Sequence, residues 1–144
     1  MDKLILLTGG KISGTPEGKI FDTYLKRLTT PIKVIEIKQT GSQAERIFED
    51  YMTLAPFWVA LDEHGKNLTS PDFSNKLSHW MESHKQIGFM IGIDTGIPKN
   101  ILERCQEKIA FGQMTWPHLL VRVMFIEQLY RAQQIMRNHP YHKI

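Results

Sequence analysis

The chain has 144 residues, enough for one domain that buries about 70% of its unfolded surface around one core. Hydrophobic residues at 42% and charged residues at 23% exclude a disordered or fibrous chain, and a net charge of +3 from 18 basic and 15 acidic side chains allows an RNA partner without requiring one. The lone Cys105 excludes an intrachain disulfide and fits a reducing, cytoplasmic setting, and no apolar run approaches the ~20 residues that a membrane-crossing helix needs.

The first apolar run, KLILLTGG, predicts a strand, and Leu4 to Leu7 is too short for the ~7–15-residue core of a signal peptide. EGKIFDTYLKRL follows, with Ile20, Tyr24 and Leu28 four apart as on one helical face. IKVIEIK alternates Val34 and Glu36 as a strand does, and SQAERIFEDYMTLA then spaces Ala44, Ile47, Tyr51 and Leu54 along a second helix. A third strand is expected at Phe57 to Asp62, ended by a turn at EHGK. SPDFSNKLSHWMESH opens a helix with Ser70 as N-cap and Pro71 as first helical residue. The fourth strand is expected at Ile87 to Ile93, and a short helix near Pro98 carries Ile101, Leu102 and Cys105, the last a small core residue. KIAFGQMTW has no clear polarity, and Pro117 starts the longest helix. Strand and helix alternating over residues 1–144 predict a single α/β domain with a mostly parallel sheet covered on both faces.

In such sheets ligands lie beyond the carboxyl ends of the strands. Three loops there carry glycine, which lets backbone approach a ligand: Ala60 to Gly65, Ile91 to Gly96 and Phe111 to His118. Each also reads as a plain turn. None matches a Rossmann or Walker pattern, so a phosphate cradle is not indicated. The last helix, LLVRVMFIEQL from Leu119 to Leu129, is apolar on nearly every side and must be covered twice; in a small chain the second cover can be another copy, as a two-fold dimer. Arg122 within it is either a buried clamp or a phosphate ligand. Arg131 is either a phosphate contact or a partner of Glu127 four residues earlier. His118 either orders the TWPH turn or meets substrate.

The chain ends in RNHPYHKI, which gathers His139, Tyr141 and His142 directly after that helix. Such a tail is either a pinned terminus or a segment folded over a site, in its own chain or a neighbour's. The HxxH spacing has no third or fourth ligand in view and does not make a metal site.

TWPHLLVRVMFIEQLYRAQQIMRNHPYH, Thr115 to His142, resembles the C-terminal signature of the SPOUT-class ribosomal large subunit methyltransferase H family: T-x-P-H-x-x-x-R-V, then E-Q-x-Y-R-A, then P-Y-H. YLKRL (Tyr24 to Leu28), ALDEHGK (Ala60 to Lys66) and IGIDTG extend the resemblance over nearly the whole chain. It implies a SPOUT-type α/β knot, with a deep C-terminal trefoil knot forming a pocket for S-adenosyl-L-methionine. It also implies a cytoplasmic homodimer that methylates N3 of a pseudouridine in large-subunit rRNA on the assembled ribosome, with no membrane and no metal. By position, the cofactor contacts would be Leu61, Gly92, Gly96, Phe111, Gly112, Gln113, Met114, Thr115 and Trp116. Tyr141 would stack on or bond the base, and His139 or His142 would relay its proton; Arg122, Arg131 and His118 would meet substrate. Two departures stand out. Ile93 occupies a family glycine position and Gly112 a serine position, which leaves a second reading, a ribosome-binding dimer with weakened catalysis.

Overall fold

The computed structural model describes residues 2–38, 42–92 and 96–142. Strands β1 (Leu4–Gly9), β2 (Ile32–Ile37), β3 (Phe57–Asn67), β4 (Ile87–Ile91) and β5 (Glu107–Ala110) form one parallel sheet in the order β2-β1-β4-β3-β5. Its helices are α1 (Pro16–Arg27), α2 (Ser42–Tyr51, extended by a 3-10 turn at Met52–Leu54), α3 (Ser70–Ser83), α4 (Lys99–Arg104) and α5 (His118–Met136).

Successive strand residues point to opposite faces. Leu4, Leu6, Val59 and Phe89 therefore pack with Phe21, Leu77, Phe125 and Leu129 beneath α1, α3 and α5. Ile5, Leu7, Trp58 and Met90 pack on the other face with Phe48 and Ile101 of α2 and α4. All six residues of β1 and all five of β4 are buried, as the middle strands of a doubly covered sheet must be. Trp58 is accommodated because its neighbour on β4 is Gly88: a Cβ there would lie 2.3 Å from the indole ring. The indole N–H donates to the carbonyls of Met52 and Ala55, so this large side chain leaves no polar atom stranded.

Several expectations are corrected. A fifth strand, β5, starts one residue before the stretch that showed no polarity and runs into it, and β3 continues through EHGK to Asn67. Strand β4 ends at Ile91; Ile93 lies outside the described residues. Thr69, not Ser70, caps α3, its side chain accepting from the Asp72 N–H at 3.1 Å. Pro117 is the N-cap of α5, and His118 its first residue. The buried stripe of α1 passes through Phe21, Tyr24 and Leu25, leaving Ile20 48% exposed. Along α2 it passes through Ala44, Ile47, Phe48 and Met52, and Tyr51 and Leu54 face outward.

Helix α5 is indeed covered twice, by α1 and α3 of the same chain. No residue from 121 to 135 is exposed. Tyr24 meets Tyr130 at 5.8 Å between ring centroids, and the Ser74 hydroxyl donates to the Ala132 carbonyl. The buried Gln133 side chain accepts from the Thr29 and Thr30 N–H groups just before β2. The apolar character of this helix thus requires no second copy.

Candidate active site

A cavity of about 670 Å³ opens at the carboxyl ends of β3, β4 and β5. Its shape begins with an irregularity in β3. Leu61 and Lys66 both pair with Ile109, so residues 62–65 bulge out of the ladder and Asp62, Glu63 and His64 line the cavity. Gly65 permits the bulge, because a Cβ there would lie 2.7 Å from the Ile109 nitrogen. Past β4, Gly92 and Gly96 come into close contact: a Cβ on Gly92 would lie 2.4 Å from the Gly96 carbonyl carbon. Past β5, the side-chain oxygen of Asn67 accepts the Gly112 N–H at 3.0 Å, and the Trp116 indole donates to the Phe111 carbonyl. Thr115 donates its hydroxyl to Glu63 Oε2 at 2.5 Å, joining the loop after β5 to the bulge of β3.

All the expected cofactor contacts line this cavity except Gln113, which is exposed beside it. Leu61, Phe111 and Trp116 supply apolar wall, and Met114 and Thr115 lie at the open side. Gly96 and Gly112 have φ of 86° and 92° with no atom within 4 Å of a Cβ, so both present bare backbone beside open space. Glycine in place of serine at Gly112 therefore suits the left-handed backbone there. The lining also includes Asp62, Glu63, His64, Ile97 and Val121, none of which the sequence singled out for a role of its own. The first three sit in the quoted ALDEHG loop, and the signal that would have found them was its length of polar chain between two paired segments. Among the described lining residues there are two carboxylates and no lysine or arginine, a balance that fits a cationic, partly apolar ligand and not a phosphate.

His118 lines the same cavity, with Nε2 3.3 Å from where a Cβ on Gly10 would stand. Arg122, one turn further, is fully buried. Its Nη1 pairs with Glu36 Oε2 at 2.5 Å, and its Nη2 donates to the carbonyls of Gly9 and Gly10. This is the clamp of the two readings; a side chain with no exposed surface has no reach to an RNA phosphate. Arg131 binds Glu127 through two nitrogens at 2.6 and 3.0 Å, the helical ion pair of its two readings, and a third nitrogen meets His142 Nδ1 at 3.0 Å.

Among the described residues, the tail does not meet the cavity within the chain. Asn138, at φ 57°, ends α5 in a left-handed cap, with its N–H and that of His139 donating back to Ile135 and Gln134. The chain then folds onto α5. The Tyr141 ring meets Tyr130 edge-on at 4.7 Å, its hydroxyl donates to Glu127, and the Arg131 guanidinium sits 5.0 Å from its centroid. Burial, a hydrogen bond with Tyr24 and the Glu127 charge all push the Tyr141 phenol above its usual value, so it stays protonated. His142 Nδ1 accepts from Arg131, and His139 Nδ1 accepts from the Tyr141 N–H at 3.2 Å. A guanidinium and a backbone amide only donate, so each ring carries its proton on Nε2. Cys105 is buried, and burial pushes its thiol up to about 11, which keeps it unreactive. Among the described residues no group of three or more His, Cys, Asp or Glu is placed to hold a metal ion, and no helix is long and apolar enough to cross a membrane.

A family profile described as "Predicted SPOUT methyltransferase" matches residues 2–142. Proteins named "Ribosomal RNA large subunit methyltransferase H" are similar over nearly their full length. That of Zymomonas mobilis is 36% identical over 145 residues, covering 98% of each chain. That of Paramagnetospirillum magneticum is 38% identical over 150 residues, covering 98% of this chain and 99% of the relative. Among solved structures, a probable methylase family protein from Haemophilus influenzae superposes with a TM-score of 0.67 at 9% identity, over 99% of this chain and 71% of that one. The SpoU methyltransferase AviRb from Streptomyces viridochromogenes, in complex with AdoMet, gives 0.53 at 13% identity, over 93% and 58%. At these identities the structural likeness is one of fold.

Proposed function

The chain belongs to the SPOUT methyltransferase family, in its ribosomal RNA large subunit methyltransferase H branch, and on that premise we propose that it methylates N3 of a pseudouridine in large-subunit rRNA of the assembled ribosome, with S-adenosyl-L-methionine as donor. The observation that carries this reading is the cavity itself, which gathers the strand-end glycines and the Phe111 to Trp116 loop that the family resemblance assigns to the donor. The residues fit such a ligand: bare backbone at Gly96 and Gly112 for polar edges, Leu61, Ile91 and Phe111 for an apolar ring system, and carboxylates for positive charge.

Bound there, the donor supplies an already activated methyl group on a sulfonium. What this chain contributes is alignment and exclusion of water. Rigid placement between the β3 bulge and the loop after β5 can lower the barrier by ~7–11 kcal/mol. The target nitrogen must also lose a proton, which calls for a nearby acceptor.

The tail lies beside residues 127–131, roughly 14–20 Å along α5 from His118 at 1.5 Å per residue. We therefore assign it to the site of a partner subunit in a homodimer, where the neutral Tyr141 ring stacks on the base. With protons on Nε2, His139 and His142 are hydrogen-bond donors as they stand; either accepts the N3 proton only after releasing its Nδ1 bond. A C-terminal trefoil knot around the donor and a cytoplasmic location belong to the same proposal. Mass spectrometry of large-subunit rRNA from cells lacking the gene tests it: a vanished methylpseudouridine is expected, and an intact one overturns the assignment.

A further inference from the structure

The mouth of the cavity has an electrostatic asymmetry. Its lining carries Asp62 and Glu63 and, among the described residues, no permanent cation. Glu63 is not a loose surface carboxylate. Its Oε2 is held by the Thr115 hydroxyl at 2.5 Å, and its Oε1 lies 3.5 Å from His64 Nε2. Asp62 accepts the His64 N–H at 3.1 Å, which fixes the bulge that carries both acids. The other titratable groups facing the mouth are His64, whose side chain is 85% exposed, and His118.

This arrangement bears on a charge that the reaction destroys. Before transfer the donor carries a sulfonium, an ammonium and a carboxylate, a net charge of about +1 at neutral pH. During transfer the sulfur–methyl bond breaks with both electrons left on sulfur, the methyl carbon bonds to N3, and the N3 proton leaves. The sulfur product is a neutral thioether that keeps the ammonium and carboxylate. Donor and product therefore differ at one positive charge and one methyl group.

We propose that Glu63, pinned by Thr115, is a specificity-determining residue that makes the pocket prefer the cationic donor over its neutral demethylated product. The inference rests on the reading of this cavity as the donor pocket. Its carboxylate would favour the additional positive charge of the donor within the cavity, and once the methyl has left that attraction is gone, which favours exchange of product for fresh donor. Because Glu63 is partly solvated, the preference it confers is a few-fold and weakens with salt.

Titration calorimetry tests this with three probes: S-adenosylmethionine, the uncharged-sulfur product S-adenosylhomocysteine, and sinefungin, which has an amine in place of the methyl sulfonium. Glu63→Gln keeps an acceptor for Thr115 and removes only the charge. The expected result is a loss of roughly two- to fivefold in affinity for S-adenosylmethionine and sinefungin, with S-adenosylhomocysteine unchanged. Raising the salt concentration shrinks the same gap in the unaltered protein. Equal shifts for all three probes overturn the inference, since they place the carboxylate at the ammonium common to all; no shift for any overturns it too. If the unaltered protein binds none of the three, the donor-pocket reading itself falls.

Discussion

Arg122 and Glu36 form an ion pair at 2.5 Å in which the arginine is completely buried and the carboxylate side chain is 26% exposed. The same carboxylate oxygen accepts the Ile12 N–H at 2.9 Å, so one pair joins α5, β2 and the loop after β1 beside His118. Removing the arginine strips Glu36 of its counter-charge and leaves the Gly9 and Gly10 carbonyls without their donor, which costs more than the pair is worth intact. Arg122→Met is expected to lower unfolding free energy by about 3 kcal/mol in urea denaturation. A loss below the two-state error would show that the clamp is energetically idle.

Gly88→Ala probes the sheet interior away from the cavity. The new Cβ would lie 2.3 Å from the Trp58 ring, which is itself fixed by two indole hydrogen bonds. Overpacking of this kind costs ~1–3 kcal/mol. Thermal unfolding should show that loss, with donor affinity of the folded fraction unchanged.

Gly112→Ala separates backbone strain from steric blockage. A Cβ there meets nothing within 4 Å, but φ of 92° is costly for any L side chain, at roughly 1–2 kcal/mol. Relaxation of that strain moves the loop that Asn67 holds, so calorimetry should show weaker binding of S-adenosylmethionine alongside the stability loss. Full affinity in a destabilised variant would remove Gly112 from the donor site.

Cys105 should resist thiol reagents in the native state. Its folded value of about 11 exceeds the unfolded one, so its contribution to stability is complete below the unfolded value and disappears as pH rises through about 11. A chromogenic disulfide reagent at pH 8 is expected to react only at the rate of unfolding. Rapid labelling without denaturant would contradict the burial.

The tail is tested by removing residues 140–144. If it completes a partner's site, kcat for methyl transfer falls on the order of 10²-fold or more while the unfolding midpoint moves little. An unchanged kcat would reduce the segment to packing against α5. With Tyr141 raised above its usual value, the pH-rate profile should also lack a limb near pH 10. By the same sign, Tyr141's share of stability is complete below pH 10 and is lost only above it.

Four of the strands were legible because β1, β3 and β4 each hold a run of apolar residues and β2 alternates apolar with charged ones. Strand β5 was not, since only Ile109 and Ala110 of its four residues are buried and Glu107 and Lys108 give it a polar start. The loops that line the cavity were legible through glycine, which marks backbone that other residues cannot copy. EHGK is turn-forming by composition and carries no sign of a bulge; only the pairing of Lys66 with Ile109 reveals that the strand resumes. Arg122 could not be resolved from sequence, as its partner lies 86 positions away. The position of the tail depends on an aromatic contact with Tyr130 that no local pattern encodes.

The interruption in β3 has a consequence for how this protein can change. Since Leu61 and Lys66 engage the same residue of the neighbouring strand, positions 62–64 between them can be exchanged, and even altered in number, without sliding either half of the ladder. The only fixed demand is a glycine where the chain brushes β5. Ligand preference can thus drift at the rim while the scaffold beneath stays as it is, which makes this short detour the place to begin when redesigning what the cavity accepts.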